Sequence, residues 1–300
     1  MSYLQGKTLV FIGDSLTRYQ FISLAHFLHR GSWQDERGLP SLTNEKQHKS
    51  PRWPNYYFES SLRLGCAHLC DCVRTFDVDR NATHLHEHIY HYDLDQDLLM
   101  IFHFFAPTLN MTFYLPDHPT RQQLLLQCLY INESLEAMKF MAEPHEVHRY
   151  YSPSHLTQFI ATEVSPSQPS ALFFNQGFWQ AESFRDPDNL AHLAAALRAA
   201  SPLSFWKAIT EQIDTEAVDS DLFLQHLQSL GLGLYDAYAV TKNLKRLIGV
   251  RLYFDKRRHF ISSFVYRVAN IVLLELLRIA FSGDQNSTFP LVGRLPAKPQ

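Results

Sequence analysis

The chain of 300 residues holds a serine, an imidazole and two carboxylates in settings where side chains can do chemistry. Gly13-Asp14-Ser15 leads through Leu16 and Thr17 to Arg18, Asn175-Gln176-Gly177-Phe178-Trp179 lies mid-chain, and Asp255 precedes His259 by four residues. A nucleophilic serine needs a base to take its proton, and that base needs a group to fix its tautomer. Ser15, His259 and Asp255 are the right types in that order. The Asn175 amide can donate to an oxyanion, as can backbone N–H groups at a helix start. Gly13 gives room for a close turn. Each segment also has a plainer reading. Ser15 can be a helix cap. Asn175 to Gly177 can be an ordinary turn. Asp255 to His259, with Lys256, Arg257 and Arg258 between, can be a solvated loop. Trp179 can stack on a sugar ring or fill the core.

The flanking sequence says where these residues sit. Thr8 to Ile12 is a continuous apolar, β-branched run and predicts a buried parallel strand. Phe21, Ile22, Leu24, Ala25 and Leu28 then recur at helical spacing. The opening is therefore strand, sharp turn, helix. Leu98 to Phe104 and Ala171 to Phe174 predict further buried strands, and Val250 to Phe254 is another candidate. Helices are predicted over Thr120 to Met141, over Leu190 to Ala200 with Asp188 as cap, from Pro202 through Ile213, and over Phe264 to Phe281. Asp236-Ala237-Tyr238 is placed near the end of another strand or loop. Alternating strands and helices make an α/β fold with a parallel sheet covered on both faces. Ligands in such folds bind beyond the carboxyl ends of the strands, where the three segments fall.

Taken together the segments resemble the SGNH hydrolase superfamily, in particular its PC-esterase and trichome birefringence-like branch. The resemblance rests on Gly13-Asp14-Ser15-x-x-Arg18-x-Gln20-x-x-Ser23-Leu24, on Phe174-Asn175-x-Gly177-x-Trp179, and on Asp255 to Phe260 followed by Tyr266 and Asn270. It implies a three-layer α/β/α sandwich of the SGNH/GDSL type. The single catalytic domain would cover residues 1–282, with an irregular tail over 283–300. It implies acetyl transfer to, or hydrolysis from, glycan hydroxyls in the Golgi lumen or outside the cell. Ser15 would be the nucleophile, His259 the base and Asp255 its orienter. Asn175 and the Ser15 N–H would form the oxyanion hole, with Arg18, Asp14 and Gly13 in support. No bound cofactor is implied; acetyl-CoA or another acetyl ester would serve as co-substrate. The family sets its Asp three residues before its His. The separation of four here moves the carboxylate along the chain. A catalytically inactive, glycan-binding member of the same fold is the alternative reading.

Composition bounds the rest. A hydrophobic fraction of 46% with 19% charged residues describes a folded globular chain, not a disordered or coiled-coil one. A net charge of −3 offers no electrostatic case for nucleic acid or an anionic membrane. No apolar run is long enough to span a bilayer, and Met1 to Ser15 reads as a strand, not a signal peptide. A phosphate-binding reading of Gly13 to Arg18 lacks the Walker lysine and the GxGxxG pattern. Four N-glycosylation sequons, at Asn81, Asn110, Asn132 and Asn286, pull toward a secretory compartment. Cys66, Cys70, Cys72 and Cys128 can pair as disulfides there, with three possible connectivities. His84, His86 and His88 would share one face if they lay on one strand, and such a face can bind a metal. An incidental partly exposed strand is the plainer reading, and no metal is assigned. Gly31 to Tyr57 reads as a long loop whose Trp33, Trp53, Tyr56 and Tyr57 can make a sugar platform or simply anchor the loop.

Overall fold

The computed structural model describes residues 1–33, 84–85, 88–93, 96–105, 112–115, 145–148, 152–177, 182–210, 219–248, 260, 263–282 and 293–294. The strands are β1 (Thr8–Gly13), β2 (His84–Leu85), β3 (His88–Asp93), β4 (Leu98–Phe104), β5 (Thr112–Leu115), β6 (His145–His148), β7 (Ala171–Phe174), β8 (Ser204–Lys207), β9 (Gly233–Tyr235) and β10 (Gly293–Arg294). The α-helices are α1 (Ser15–Arg30), α2 (Pro153–Phe159), α3 (Pro187–Ala200), α4 (Asp221–Ser229), α5 (Ala237–Ile248) and α6 (Ser263–Ser282). A π-helical turn, Ile160–Val164, continues α2.

The main sheet runs β10-β9-β8-β7-β1-β4-β3. Its five inner strands are parallel, and β3 and β10 close the edges antiparallel. Counted among themselves in chain order, the parallel strands read 2-1-3-4-5. This is a doubly wound order, and its direction reverses between the first and third parallel strands. Here those are β1 and β7. The chain ends of these two strands, Asp14-Ser15 and Asn175 to Gly177, therefore flank the crevice where such a sheet offers a site. A separate small sheet is ordered β2-β5-β6.

Side-chain alternation assigns the two faces. Phe102, Phe11, Phe173 and Phe205 lie in register across four strands. Phe173 stacks between Phe11 and Phe205 at 5.0 Å from each, and Phe21 of α1 meets Phe11 edge-on at 5.7 Å. Pairs of this kind add about 0.5–1.5 kcal/mol each beyond the area they bury. This face is covered by α1 and α6. The opposite face holds His103, Phe174 and Trp206. His103 meets Phe159 of α2, and Trp206 meets Phe223 of α4. The molecule is an α/β protein with a parallel sheet between two helical layers, as the alternation of elements predicts.

Four local expectations are corrected. The helix expected from Pro202 through Ile213 is not formed over the described residues 202–210; Ser204–Lys207 is strand β8. Both of its faces are buried, so its apolar residues do not alternate, and a short apolar run cannot be assigned by periodicity. The cap of α3 is Asp186 rather than Asp188. Its Oδ1 accepts from Asp188 N at 3.1 Å and Asn189 N at 3.2 Å, with Pro187 in the first turn. His84 and His88 lie on strands of different sheets, so the three histidines do not share one strand. Gly293–Arg294, in the tail expected to be irregular, pairs with β9. The helix predicted over Thr120 to Met141 and the strand over Val250 to Phe254 lie outside the described residues, as do the four cysteines and the four sequon asparagines.

Candidate active site

β1 ends at Gly13, and α1 begins two residues later. Asp14 is the residue that caps α1: its Oδ1 accepts from Leu16 N at 3.1 Å and from Thr17 N at 3.3 Å. Its backbone carbonyl takes Arg18 N at 3.0 Å. Ser15 is thus the first helical residue, not the cap. The cap engages the N–H groups of Leu16 and Thr17 rather than that of Ser15. Ser15 is only partly buried, while Asp14 beside it is 1% exposed. The turn is closed by two glycines that have no room for a side chain. A Cβ at Gly13 would fall 2.6 Å from Thr17 Oγ1. A Cβ at Gly177 would fall 2.5 Å from Asp14 Cγ, and Gly177 has φ +62° besides.

Asn175 arrives from the end of β7, its backbone N–H donating to Ile12 O at 2.8 Å. Its side chain is 3% exposed. Nδ2 donates to the carbonyl of Lys207 at 2.7 Å, and Oδ1 accepts from the Thr17 hydroxyl at 3.5 Å. One amide hydrogen expected at an oxyanion thus binds the neighbouring strand. The structure does bring Asn175 to the first turn of the helix that carries Ser15.

Lys207 completes the cluster and was not foreseen from the sequence. It ends β8 on the α1 face, is 2% exposed, and its Nζ donates to Thr17 Oγ1 at 2.8 Å. Burial lowers its pKa to about 8, and the negative charge of Asp14 works in the opposite sense. Lys207 Nζ, Thr17 Oγ1, Asn175 Oδ1, Asn175 Nδ2 and Lys207 O form a closed chain of hydrogen bonds. That chain ties β7 and β8 to the start of α1. The signal in the sequence was a lysine closing an apolar run, Leu203-Ser204-Phe205-Trp206-Lys207. Read as the end of a buried strand, it would have pointed to the site.

Arg18 lies one turn after Ser15 and is buried. Its guanidinium stands 5.4 Å from the Tyr19 ring and 5.7 Å from the Phe104 ring, so it occupies the seam between α1 and β4. Gln20 and Asn270, both in the segments singled out by sequence, meet: Asn270 Nδ2 donates to Gln20 O at 3.0 Å. Gln20 Nε2 donates to the Tyr235 hydroxyl at 3.0 Å, which in turn donates to Ala269 O at 2.9 Å. These bonds fix α1 against β9 and α6. Trp33, one of the expected sugar-platform residues, is stacked on Phe27 at 4.0 Å and so anchors the chain after α1.

Asp255, His259 and Trp179 lie outside the described residues, as do Trp53, Tyr56 and Tyr57. Phe260, which follows His259, is buried. Its ring stands 5.6 Å from Tyr266, and Tyr266 stands 5.8 Å from Tyr19.

No family model, curated protein or solved structure matches this chain. Among the described residues no helix is long and apolar enough to cross a membrane.

Proposed function

We propose that the protein carries out acyl-ester chemistry on a glycan through an acyl-serine at Ser15, as an O-acetyltransferase or acetylesterase of the SGNH type. The observation that supports this most is the position of Ser15. It opens α1 at the carboxyl end of β1, beside the reversal point of the sheet, and Asp14 has taken the capping role. A serine needed only for the helix start would be the cap itself.

In the proposed reaction His259 takes the Ser15 proton as Oγ attacks the carbonyl carbon of an acetyl ester. The new Oγ–C bond forms a tetrahedral oxyanion, which faces the N-terminus of α1, where the peptide dipoles favour negative charge. The ester C–O bond then breaks, and His259 returns the proton to the leaving alcohol. Water or a sugar hydroxyl attacks acetyl-Ser15 in a second, mirrored step. Asp255 would orient His259. The anchored position of Phe260, reached through Tyr266 and Tyr19 from the residue next to Arg18, is compatible with His259 working on this helix.

The test is acetyl transfer onto Ser15. Wild type incubated with an aryl acetate and with acetyl-CoA should gain one acetyl group by intact mass, mapped to Ser15 by peptide sequencing. Ser15→Ala and His259→Ala should lose this adduct. Absence of any acetyl-Ser15 in wild type with both donors, together with retained binding to glycans, would transfer the assignment to an inactive glycan-binding protein.

A further inference from the structure

We propose that Lys207 is the positioning residue of this site: its buried ammonium holds the Thr17 hydroxyl and balances the Asp14 carboxylate, so that the turn bearing Ser15 keeps its place. The positioning role rests on Ser15 being the nucleophile; the pairing with Asp14 does not.

Asp14 poses an electrostatic problem that Lys207 solves. A carboxylate is a good cap, but it is an anion one residue from where an oxyanion would develop, and it is almost wholly out of water. Left alone it would repel that oxyanion and offset the favourable end of the helix. The groups around Lys207 come from four elements. Thr17 accepts from it out of α1, and the Asp14 carboxylate, held by Thr17 N in the β1–α1 turn, favours its charged form. Asn175 reaches it from the end of β7, and Tyr235 is its register partner on β9. Burial holds the Tyr235 hydroxyl in its neutral form well above the ordinary range. Among these groups Asp14 is the anion that Lys207 balances. The ammonium also reaches Ser15 mechanically, because Thr17 lies in the same helical turn and its hydroxyl is bonded at once to Lys207 and Asn175.

The test uses Lys207→Met, Asp14→Asn and the double variant. Asparagine remains a good N-cap, so Asp14→Asn removes the charge and keeps the helix start. The first readout is urea unfolding. Pairing predicts that the double variant is more stable than Lys207→Met alone, since the buried carboxylate that Lys207 balances is then neutral as well. Simple additivity of the two single losses overturns the pairing. If Lys207→Met fails to fold, recovery of folded protein in the double variant supports the pairing and failure to recover counts against it.

The second readout is labelling of Ser15 by an alkyl fluorophosphonate. Serine Oγ attacks phosphorus, the P–F bond breaks, and fluoride leaves as the base takes the proton. The labelling rate of Lys207→Met should fall about ten- to hundredfold, and the double variant should regain most of it. Wild type should lose rate as the pH rises through about 8, where Lys207 gives up its proton, and this limb should vanish in Lys207→Met. Equal rates and superimposable pH profiles in wild type and Lys207→Met overturn the positioning role. Wild type that is never labelled at Ser15 removes the serine reading itself, and the unfolding cycle still decides the pairing.

Discussion

Gly177 lies directly against the Asp14 carboxylate, so that a Cβ at 177 would stand 2.8 Å from Asp14 Cβ. This contact joins the ends of β1 and β7 at the one place where the strand order reverses. It also explains why a residue 163 positions away in the chain should be a glycine at φ +62°. The same feature makes the first prediction. Gly177→Ala places an L-residue in the left-handed region, at a cost of about 1–2 kcal/mol, and pushes on Asp14 as well. The variant should lose stability by at least that amount in urea unfolding, and Ser15 labelling should fall further than stability does. An alanine accepted with less than about 0.5 kcal/mol of loss would show that the contact does not constrain the turn.

Ser15 and Asp14 should separate cleanly in mutagenesis. Asp14 supplies the cap, so Asp14→Ala should cost about 1 kcal/mol or more in stability. Ser15 is the first residue within the helix and is not its cap, so Ser15→Ala should stay within about 0.5 kcal/mol of wild type. Chemistry should move the other way, with Ser15→Ala abolishing the acyl-enzyme. Thermal melts alongside intact mass after acetyl-donor incubation read both. A Ser15→Ala protein that melts far below Asp14→Ala would return Ser15 to a structural role.

The legibility of this molecule in its sequence was uneven for physical reasons. β1, β4 and β7 were visible because parallel strands buried on both faces read as unbroken apolar runs. α6 was visible because twenty residues give a helical period room to show itself. β8 has only four residues, Ser204-Phe205-Trp206-Lys207, and over that length a two-residue and a 3.6-residue period cannot be told apart. Pro202 suits the first turn of a helix, and a helix there gives Lys207 no place at a strand end. The turn Gly13-Asp14-Ser15 announced itself by residue type. Its division of labour did not, because serine and aspartate are nearly equal as caps and only the backbone decides which is used. The contact of Gly177 with Asp14 depends on how far apart two strand ends sit, which no local pattern encodes.

Tyr235 offers a control at the back of the same layer. Its hydroxyl accepts from Gln20 Nε2 and donates to Ala269 O, bridging β9, α1 and α6. Tyr235→Phe keeps the ring against Phe173 and leaves both partners without this bond. The expected cost is about 1–3 kcal/mol, because buried polar groups are left unsatisfied. Ser15 labelling of the folded fraction should stay near wild type, since the bridge does not touch the first turn of α1. A labelling defect as deep as that of Lys207→Met would mean that the α1–α6 contact itself sets the serine.

The charge on Lys207 should leave its mark on stability as a function of pH. Its folded pKa of about 8 lies below its ordinary 10.5. Below pH 8 both folded and unfolded chains hold the proton, and the folded state bears the full burial penalty. Between 8 and 10.5 the unfolded chain holds more protons than the folded one, so raising the pH favours folding. Over the whole interval this one group should add roughly 3 kcal/mol. Tyr235 acts in the opposite direction, since its raised folded pKa makes the folded state lose ground above pH 10. The clean window is therefore pH 8 to 10. Urea midpoints of wild type measured there should rise relative to those of Lys207→Met, which has no amine to titrate at that position. Parallel profiles for the two proteins across that window would mean that Lys207 does not enter the folded state as a buried, proton-shedding cation.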